Sequence, residues 1–370
     1  MRLLVVDDSA LMRRMLQECF AGEPDIELLA ARDGEDALAK LHSFAPDVIT
    51  LDINMPKMDG LSCLARIMEE RPCPVVMVSS LTERGALATF EALELGAVDY
   101  VAKPDGTVSL SLDLVYDELR AKVRAAFAGK RAKARNAARP APARLAPKAP
   151  PAAPAARVVQ IGRNRAGSEP VELVVIGSST GGPKTLGDIL AALPADFPAP
   201  ILIAQHMPPR FTRIYAERLA GICRIKIREL DRAQPLQPGT AYIAQGAKDV
   251  IVTRKMRRLC AEPMPLDGGL TWHPSVSRMV ASALETLAPE RLVGVMLTGM
   301  GDDGAAEMAR IHQNGGRTIA ESEETAVVWG MPQQLIAYDG ASVVLPCDRV
   351  AEQLRHWLVV PAPQRTSQCR

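Results

Sequence analysis

The chain has 370 residues, 48% of them hydrophobic and 24% charged, which is typical of a soluble globular protein of about two or three domains. A formal net charge of +1 excludes a global field that would draw the whole chain to nucleic acid or membranes. Seven cysteines without a C-x-x-C pair or metal-ligand spacing, no signal peptide in "MRLLVVDDSA" and no membrane-length apolar run predict a cytoplasmic protein without membrane insertion.

Apolar runs that predict strands alternate with helical patterns from the N-terminus to about residue 127. The runs read, in order, "LLVVD", "IELLAA", "DVITLD", "PVVMVSS" and "DYVAKP". The first helix shows an apolar stripe at Leu11, Met15 and Cys19. Continuous apolar strands alternating with helices predict a parallel sheet covered on both faces, so residues 1–127 are expected to form an α/β domain of the (βα)5 type.

Polar residues follow several of these predicted strands. Asp7 and Asp8 follow the first, and Asp52 ends the third. The carboxyl ends of parallel strands form the ligand edge of a sheet. Three carboxylates crowded there repel one another unless a cation such as Mg²⁺ lies among them. Ser79 and Lys103 end the fourth and fifth strands, and the whole set is suited to handling a phosphoryl group.

The order of these residues is more specific than any one of them, because a lone Asp after a strand is more often a helix cap. With D-D, "DINMPKMDG", the serine and K-P in that order, the segment resembles the receiver domain of two-component response regulators. The resemblance implies a role for each matching residue: Asp52 as phospho-acceptor, Asp7, Asp8, Asp52 and the backbone carbonyl of Asn54 as the Mg²⁺ site, Ser79 and Tyr100 as the switch pair, and Lys103 as the phosphate contact.

A segment after this domain differs in composition from the rest of the chain. Residues 129–157 contain six Pro, twelve Ala and eight Lys or Arg, and no acidic residue. Such a sequence cannot bury a core, and its prolines favour extended backbone. We predict a flexible basic linker over residues 128–170, which is either a solvated tether or a docking surface for an acidic partner.

After the linker, apolar runs and helical patterns alternate again. The runs read "ELVVIG", "PILIAQH", "RIKIREL", "TAYIAQG", "VGVMLTG", "RTIAES" and "SVVLP", and helical patterns include residues 275–287 and 305–313. "DVIVTRKMRRLCAEP" instead has the pattern of a hairpin insertion. Residues 171–361 are therefore predicted to form a doubly wound, mainly parallel α/β domain, followed by a tail over residues 362–370.

The first strand of the second domain runs into "GSSTGGPKT", residues 177–185, which fits one motif and almost fits a second. G-x-S-x-G places a serine on a sharp turn between a strand and a helix. A phosphate loop fits less well, because Pro183 shifts Lys184 by one residue and removes an amide donor. Pro183 suits the first turn of a helix, so a serine is expected near a helix N-terminus, as a nucleophile or as a cap.

A nucleophilic serine needs a base and an acid that orients the base. His206 follows the next strand in "ILIAQHMPP", and Asp302 and Asp303 follow a later strand in "VGVMLTGMGDDGA". Each residue alone is more often structural, but residues that follow strands of one parallel sheet converge at its carboxyl edge. The chain order Ser, His, Asp differs from the Ser, Asp, His order of α/β-hydrolases, so that fold is not predicted.

Four motifs in order, "IGSSTGG", "QHMPPRFTRIYAERL", "HPSVSRM" and "LTGMGDDGA", make this domain resemble the catalytic domain of the chemotaxis protein-glutamate methylesterase family, CheB. By matching positions, the resemblance implies Ser179 as nucleophile, His206 as general base, Asp303 as the acid that orients it, Met300 as a backbone amide of the oxyanion hole, and Thr180 as support for the serine–histidine geometry. Ser178 stands where the family usually has Ala, and Ser277 where it often has Asp. Asp302 stands where the family often has Asn, so it remains a rival of Asp303.

The resemblance implies a phosphorylation-activated hydrolase that removes methyl esters from glutamates of methyl-accepting chemotaxis receptors and also deamidates receptor glutamines. It implies the histidine kinase CheA as phosphodonor, Mg²⁺ in the receiver, a monomer, and no nucleic-acid partner. The unphosphorylated receiver is expected to cover the catalytic edge until Asp52 is phosphorylated and Tyr100 turns inward. Arg210 and Arg213 follow the base, and they either contact an acidic receptor helix or are solvated.

Two other functions stay open on the sequence. A DNA-binding response regulator is disfavoured, because the second domain does not have the pattern of a compact helix-turn-helix with a basic recognition helix. A receptor-binding response regulator with an inactive esterase domain is disfavoured by the intact serine, histidine and aspartate. The cysteines are expected to be structural, with Cys223 the first suspect if a thiol proves essential.

Overall fold

The structure is a computed structural model. It describes residues 1–80, 82–103, 109–137 and 170–358, and it describes residues 109–114 and 131–137 by their backbone alone. Most of the predicted linker and the whole predicted tail lie outside the described residues. Among the residues that the structure describes, no helix has both the length and the apolar composition needed to cross a bilayer.

The first domain is a five-stranded parallel sheet flanked by helices. Its elements are β1 (Arg2–Val6), α1 (Ala10–Phe20), β2 (Glu27–Ala31), α2 (Gly34–Ser43), β3 (Val48–Asp52), α3 (Gly60–Glu70), β4 (Val75–Ser79), α4 (Glu83–Leu95), β5 (Asp99–Ala102) and α5 (Ser109–Ala137). The strand order is β2-β1-β3-β4-β5, and every predicted strand is confirmed. Because all five strands are parallel, their carboxyl ends lie at one edge of the sheet, and the strand order reverses between β1 and β3, where such sheets bind ligands.

The loop after β3 explains the final glycine of "DINMPKMDG". Asp59 caps α3, since its carboxylate accepts the backbone N–H of Ser62 at 2.7 Å. Gly60 lies directly against the strand, and a β-carbon there would clash with the carbonyl oxygen of Asp52. Glycine therefore lets the loop fold back beside the acid cluster.

The last helix of the first domain passes the predicted domain boundary. α5 continues beyond residue 127 to Ala137, inside the segment predicted to be linker. This stretch is rich in Ala, Lys and Arg, which favour helices, and the first proline of the segment is Pro140. The prediction of extended backbone was wrong for residues 129–137, because the composition of the whole segment conceals its helical start.

The second domain combines a seven-stranded parallel sheet with a small antiparallel sheet. Its elements are β6 (Leu173–Ser178), α6 (Gly182–Ala191), β7 (Ile201–Gln205), α7 (Pro209–Ile222), β8 (Lys226–Leu230), β9 (Gln234–Pro235), β10 (Thr240–Ala244), β11 (Asp249–Lys255), β12 (Arg258–Met264), α8 (Val276–Thr286), β13 (Leu292–Met296), α9 (Ala305–Gln313), β14 (Arg317–Glu321), α10 (Met331–Ala337), β15 (Val343–Leu345) and α11 (Cys347–Leu358). The order of the large sheet is β15-β14-β13-β6-β7-β10-β8. The predicted hairpin is confirmed, since β11 pairs with β12 across a tight turn at Met256 and Arg257.

The two domains pack against each other through α4 of the first and α6 and α7 of the second. The ring of Tyr100 stacks on Phe211, with centroids 4.7 Å apart and planes 5° apart. Phe90 stacks on Tyr215 with centroids 5.2 Å apart. Two ion pairs link the same helices, Arg213 with Glu83 and Arg218 with Glu94. The interface therefore has an aromatic centre and charged pairs around it.

Candidate active site

The carboxylates predicted at the edge of the first sheet lie together. Carboxylate oxygens of Asp7, Asp8 and Asp52 lie within 4.8 Å of one another. The Lys103 ammonium lies 3.0 Å from Asp7 and 2.8 Å from Asp52. Burial raises the pKa of Asp52, Lys103 opposes this rise, and the like charge of Asp7 adds to it. The cluster is a partly neutralised acidic site whose oxygen atoms suit a hard divalent cation.

Ser79 and Tyr100, predicted as a switch pair, lie in different surroundings. The Ser79 hydroxyl is buried and donates to the Gly85 carbonyl at 3.1 Å. Tyr100 is 3% exposed and lies in the domain interface, and its hydroxyl has no hydrogen-bond partner among the described residues. Burial raises the pKa of Tyr100 well above its ordinary value, so the ring is a neutral part of the interface. Its predicted movement on phosphorylation stays a prediction.

The turn after β6 carries two adjacent serines in different surroundings. Ser178 is fully buried, and its hydroxyl donates to the Gln205 side chain at 2.7 Å. The Gln205 amide donates in turn to the Ser179 carbonyl at 3.0 Å, which fixes the backbone of the turn. Gly181 has a φ of 78°, and Pro183 lies in the first turn of α6. Ser178 therefore has a structural role, and Ser179 is the serine available as a nucleophile just before the N-terminus of α6.

Ser179 and His206 follow paired positions of two neighbouring strands. Ser178 pairs with Gln205 in the parallel register of β6 and β7, and the His206 N–H donates to the Ser178 carbonyl at 3.1 Å. Adjacent strands lie about 5 Å apart, so the next residues along each strand are neighbours. The sheet thus brings the predicted nucleophile and base side by side. No hydrogen bond joins the Ser179 hydroxyl to His206 within the described part of the chain.

The imidazole of His206 is bonded to Asp303 and almost buried. Nε2 lies 2.8 Å from the Asp303 carboxylate, and both side chains are 7% exposed. The other ring nitrogen, Nδ1, is buried and has no hydrogen-bond partner among the described residues. A general base needs one free ring nitrogen, so this ring is able to accept a proton at Nδ1 while Asp303 holds Nε2.

Asp303 is surrounded by donors at the start of α8. Its carboxylate accepts the backbone N–H groups of Val276 at 2.7 Å and Ser277 at 2.9 Å. Burial by itself would raise the pKa of Asp303, but the hydrogen bond and charge of His206 and these amides lower it to about 2. The neighbouring Asp302 is exposed. Of the two rivals, only Asp303 contacts the imidazole.

A glycine-containing loop lies against the predicted nucleophile. The Ser179 N–H donates to the Thr298 carbonyl at 3.0 Å. A β-carbon at Gly299 would stand 2.9 Å from the β-carbon of Ser179, so glycine permits the close approach. The backbone N–H of Met300, the next residue, donates to no acceptor among the described residues. A free N–H beside a serine is what an oxyanion hole requires.

Thr180, predicted to support the serine–histidine geometry, contacts the first domain. Its side chain lies close enough to the Asp99 carboxylate of the first domain to lower the pKa of that group, and the carboxylate also lies 3.4 Å from the Lys122 ammonium. Burial raises the pKa of Asp99, and Lys122 and Thr180 oppose that rise. Arg213, predicted to contact either a receptor helix or solvent, pairs with Glu83 of the first domain. The first domain thus contacts the residue next to Ser179.

Three residues at this edge were not found from the sequence. The indole of Trp272 stacks on the His206 imidazole, with centroids 5.4 Å apart and planes 9° apart. Gln205 fixes the serine turn, and buried Glu321 accepts the Thr298 N–H at 2.8 Å. Gln205 and Glu321 each end an apolar strand, which is a signal that could have found them. Nothing in the sequence indicates that Trp272 lies beside His206.

Comparison with known proteins matches each of the two domains to a family. Two family models match, the response regulator receiver domain over residues 3–112 and CheB methylesterase over residues 174–354. The chain is 48% identical over 365 residues to protein-glutamate methylesterase/protein-glutamine glutaminase 3 of Rhodospirillum rubrum, and the match covers 96% of each chain. This chain belongs to the CheB methylesterase family. Both predicted resemblances and the predicted fold class are thereby confirmed.

Other members of the CheB family are similar over comparable lengths. Protein-glutamate methylesterase/protein-glutamine glutaminase 2 of Rhodopseudomonas palustris is 50% identical, and the match covers 96% of this chain and 98% of that one. Among solved structures, the CheB methylesterase catalytic domain of Thermotoga maritima is 37% identical, with a TM-score of 0.48, and the match covers 50% of this chain and 97% of that chain. The sequence relatives align with both domains of this chain, in the predicted order.

Proposed function

We propose that this chain is a phosphorylation-activated protein-glutamate methylesterase that acts on methyl-accepting chemotaxis receptors. The observation that carries the proposal is the His206–Asp303 pair beside Ser179, in a chain that matches the family over almost its whole length. The relatives are also named as glutaminases, so receptor glutamines are proposed as a second substrate. A receptor-binding regulator with an inactive esterase domain is the alternative, and it leaves the free, buried nitrogen of His206 without a role.

In the first half-reaction the Ser179 oxygen attacks the carbonyl carbon of the methyl ester. Nδ1 of His206 takes the hydroxyl proton as the new C–O bond forms. The bond to the methoxy oxygen then breaks, His206 returns the proton, and methanol leaves. A glutamyl ester of Ser179 remains. With a glutamine substrate the leaving group is ammonia, which leaves less readily, so we expect deamidation to be slower.

In the second half-reaction water attacks the glutamyl ester. His206 takes a proton from the water and passes it to the Ser179 oxygen, and glutamate is released. Asp303 orients the imidazole and stabilises its positive charge in both halves, and its pKa of about 2 keeps it ionised at neutral pH. The Met300 N–H is proposed to donate to the oxyanion of each tetrahedral intermediate.

The receiver is proposed to hold Mg²⁺ and to accept a phosphoryl group on Asp52 from the histidine kinase CheA. The carboxylate oxygens of the cluster lie within 4.8 Å of one another, and such oxygens are the ligands that Mg²⁺ prefers. The proposed ligands are Asp7, Asp8, Asp52 and the Asn54 carbonyl. The ion, when bound, neutralises the crowded negative charge. Lys103, now 2.8 Å from Asp52, is proposed to contact the phosphoryl oxygens.

Phosphorylation is proposed to release an inhibitory contact. Tyr100 of the receiver stacks on Phe211, and Asp99 of the receiver lies beside Thr180, the residue after the proposed nucleophile. Phosphorylation replaces the single negative charge of the Asp52 carboxylate with an acyl phosphate that carries roughly −1.5 to −2. If the Tyr100 ring then turns toward the receiver core, it leaves its stack on Phe211. An aromatic stack is worth about 0.5–1.5 kcal/mol, and about 1.4 kcal/mol is enough to shift a two-state population tenfold. The linker keeps the freed receiver nearby.

Methanol release from methylated receptor membranes tests the proposed activity. The wild-type chain is expected to release methanol, whereas Ser179→Ala is expected to lose nearly all activity and keep its fold, because only a hydroxyl in a turn is removed. Ser178→Ala is the matched control. It is expected to keep most of the activity at a lower stability, since it leaves the Gln205 acceptor unpaired. A wild-type chain that binds receptors without releasing methanol would establish the alternative.

A further inference from the structure

Trp272 covers one face of the proposed catalytic base. Its indole lies parallel to the His206 imidazole, with centroids 5.4 Å apart and planes 9° apart. Stacking leaves the edge of the imidazole open, so the bond to Asp303 at 2.8 Å and the free Nδ1 coexist with the stack. The indole also borders the proposed oxyanion loop, because a β-carbon at Gly301 would stand 3.6 Å from its Nε1. Trp272 therefore contacts the base at a face that no other proposed catalytic group uses.

The segment that carries Trp272 is fixed by a buried carboxylate outside the proposed triad. Asp249, the first residue of β11, accepts the N–H of Asp267 at 3.0 Å and the N–H of Ser275 at 2.9 Å. It also accepts from the His273 ring at 2.8 Å. These donors lie on both sides of Trp272 in the sequence. One carboxylate thus closes the loop and holds the indole in place, because each of its bonds restricts the loop backbone.

Burial of apolar surface does not explain this position. Trp272 is only partly buried, and the residues before it, 265–269 and 271, are exposed. A tryptophan that served only to fill a core would have apolar neighbours on several sides. Within the described residues, the one aromatic contact of the indole is with the His206 imidazole. The contact with the His206 imidazole, and not burial in a core, therefore accounts for the position of Trp272.

We propose that Trp272 is a positioning residue that holds the His206 imidazole in the plane of Asp303 and stabilises the imidazolium formed during proton transfer. The inference rests on the proposed function, in which His206 is the base. The face of an indole carries partial negative charge and attracts a cation more strongly than a neutral ring. The contact is therefore stronger in the transition state, where the ring becomes positive, than in the ground state. Its loss is expected to lower kcat and to leave KM unchanged.

Full-length Trp272→Leu, Trp272→Phe and Leu270→Ala test the proposal, with a tagged alkyl fluorophosphonate as probe. The Ser179 oxygen attacks phosphorus, fluoride leaves, and His206 takes the proton, so labelling needs the serine and base but no receptor. Trp272→Leu is expected to be labelled about tenfold more slowly, and to show a similar fall in kcat for methanol release. Trp272→Phe keeps an aromatic face and is expected to stay within about threefold of wild type. Leu270→Ala, in the same loop, is expected to react at the wild-type rate.

The rates are compared between samples with the same folded fraction, read from thermal unfolding. The proposal is overturned if Trp272→Leu is labelled at the wild-type rate, if Trp272→Phe is as slow as Trp272→Leu, or if only KM changes. It is also overturned if Leu270→Ala is equally slow, because the loop and not the indole would then set the rate. Failure of the proposed function looks different: Ser179 is labelled and the variants keep their expected order, but receptors release no methanol.

Discussion

The two sheet edges hold a key carboxylate in opposite ways. Asp52 stands among like charges, with Lys103 as a counter-ion, and burial raises its pKa. Asp303 receives four donors, from His206, two backbone N–H groups and a serine hydroxyl, and its pKa is about 2. Both follow strands of a parallel sheet, so position on the edge does not decide their chemistry. The number of donors around each carboxylate decides its chemistry, because lone pairs that accept hydrogen bonds are not free to attack a phosphoryl group.

Replacing Asp303, the carboxylate that accepts four hydrogen bonds, gives the largest expected loss of activity. Asp303→Asn removes the charge that stabilises the imidazolium and turns an N–H toward a ring nitrogen that needs an acceptor. We expect kcat for methanol release to fall roughly 10³- to 10⁴-fold, as in other serine–histidine–aspartate sites. Asp302→Asn is the matched control, and its exposed side chain makes a large loss unexpected. Steady-state kinetics on folded protein check the pair, and equal losses would mean that the orienting acid is misassigned.

Replacing Asp52, the proposed phospho-acceptor, should remove activation by phosphorylation and leave the basal esterase activity. With a small phosphodonor and Mg²⁺, wild-type esterase activity is expected to rise about tenfold. Asp52→Asn is expected to stay at the basal rate, because it has no carboxylate to phosphorylate. Methanol release with and without the phosphodonor measures the difference, and an equal rise in both proteins would contradict the assignment of Asp52.

A second arm of that experiment separates inhibition from stimulation. A fragment that begins near Gly167 carries no receiver, so it is expected to be faster than the unphosphorylated full-length chain. If it is no faster, the contacts of Asp99 with Thr180 and of Tyr100 with Phe211 do not inhibit the enzyme. The receiver would then act by stimulation or by recruiting the enzyme to receptors.

The lowered pKa of Asp303 should also make the free energy of unfolding depend on pH. The pKa of Asp303 is about 2 in the folded state against an ordinary value of 3.8. A lowered folded pKa stabilises the fold above the ordinary value, here by about 2 kcal/mol, and the effect is lost as the pH falls through about 2. Urea unfolding at pH 5 and at pH 2 should show this loss in the wild type and not in Asp303→Asn. A pH dependence of the same size in both proteins would argue against the lowered pKa.

The smallest effect is expected from the cysteines, since neither edge uses a thiol. Burial raises the pKa of Cys63 to about 12 and that of Cys223 to about 11, which keeps both thiols protonated and unreactive at neutral pH. A thiol-blocking reagent added to native protein is therefore expected to spare most of the activity. Rapid inactivation that substrate prevents would instead indicate a thiol at the active site, with Cys223 the first to test.

The sequence was sufficient for the strands and for the polar residues that follow them. Asp7, Asp52 and His206 each follow or end a continuous apolar run, and such runs, where they alternate with helical patterns, predict buried parallel strands. The convergence of these side chains then follows from the common edge of the sheet. The end of α5, which runs into the predicted linker, was the exception, because a helix-forming stretch was averaged with the proline-rich sequence after it.

Other features depend on contacts that no local pattern encodes. The choice between Asp302 and Asp303 depends on which side chain of a turn points to α8, and both positions carry the same residue type. Trp272 lies against His206 in a loop that Asp249, distant in the sequence, closes on both sides of it. The place of Tyr100 in the interface depends on the second domain, so its own strand does not reveal it. These are long-range effects of packing, which propensity does not describe.

The arrangement of the strands also sets an order in which the proposed active site is assembled. Ser178 and Gln205, whose bond fixes the serine turn, are 27 residues apart, whereas His206 and Asp303 are 97 apart. Contacts between nearby segments close at a lower entropic cost than distant ones. The unit β6–α6–β7 is thus able to form before β13 inserts beside β6. We expect regained esterase activity to lag behind regained circular dichroism during refolding, so that turnover reports the arrival of the last long-range strand.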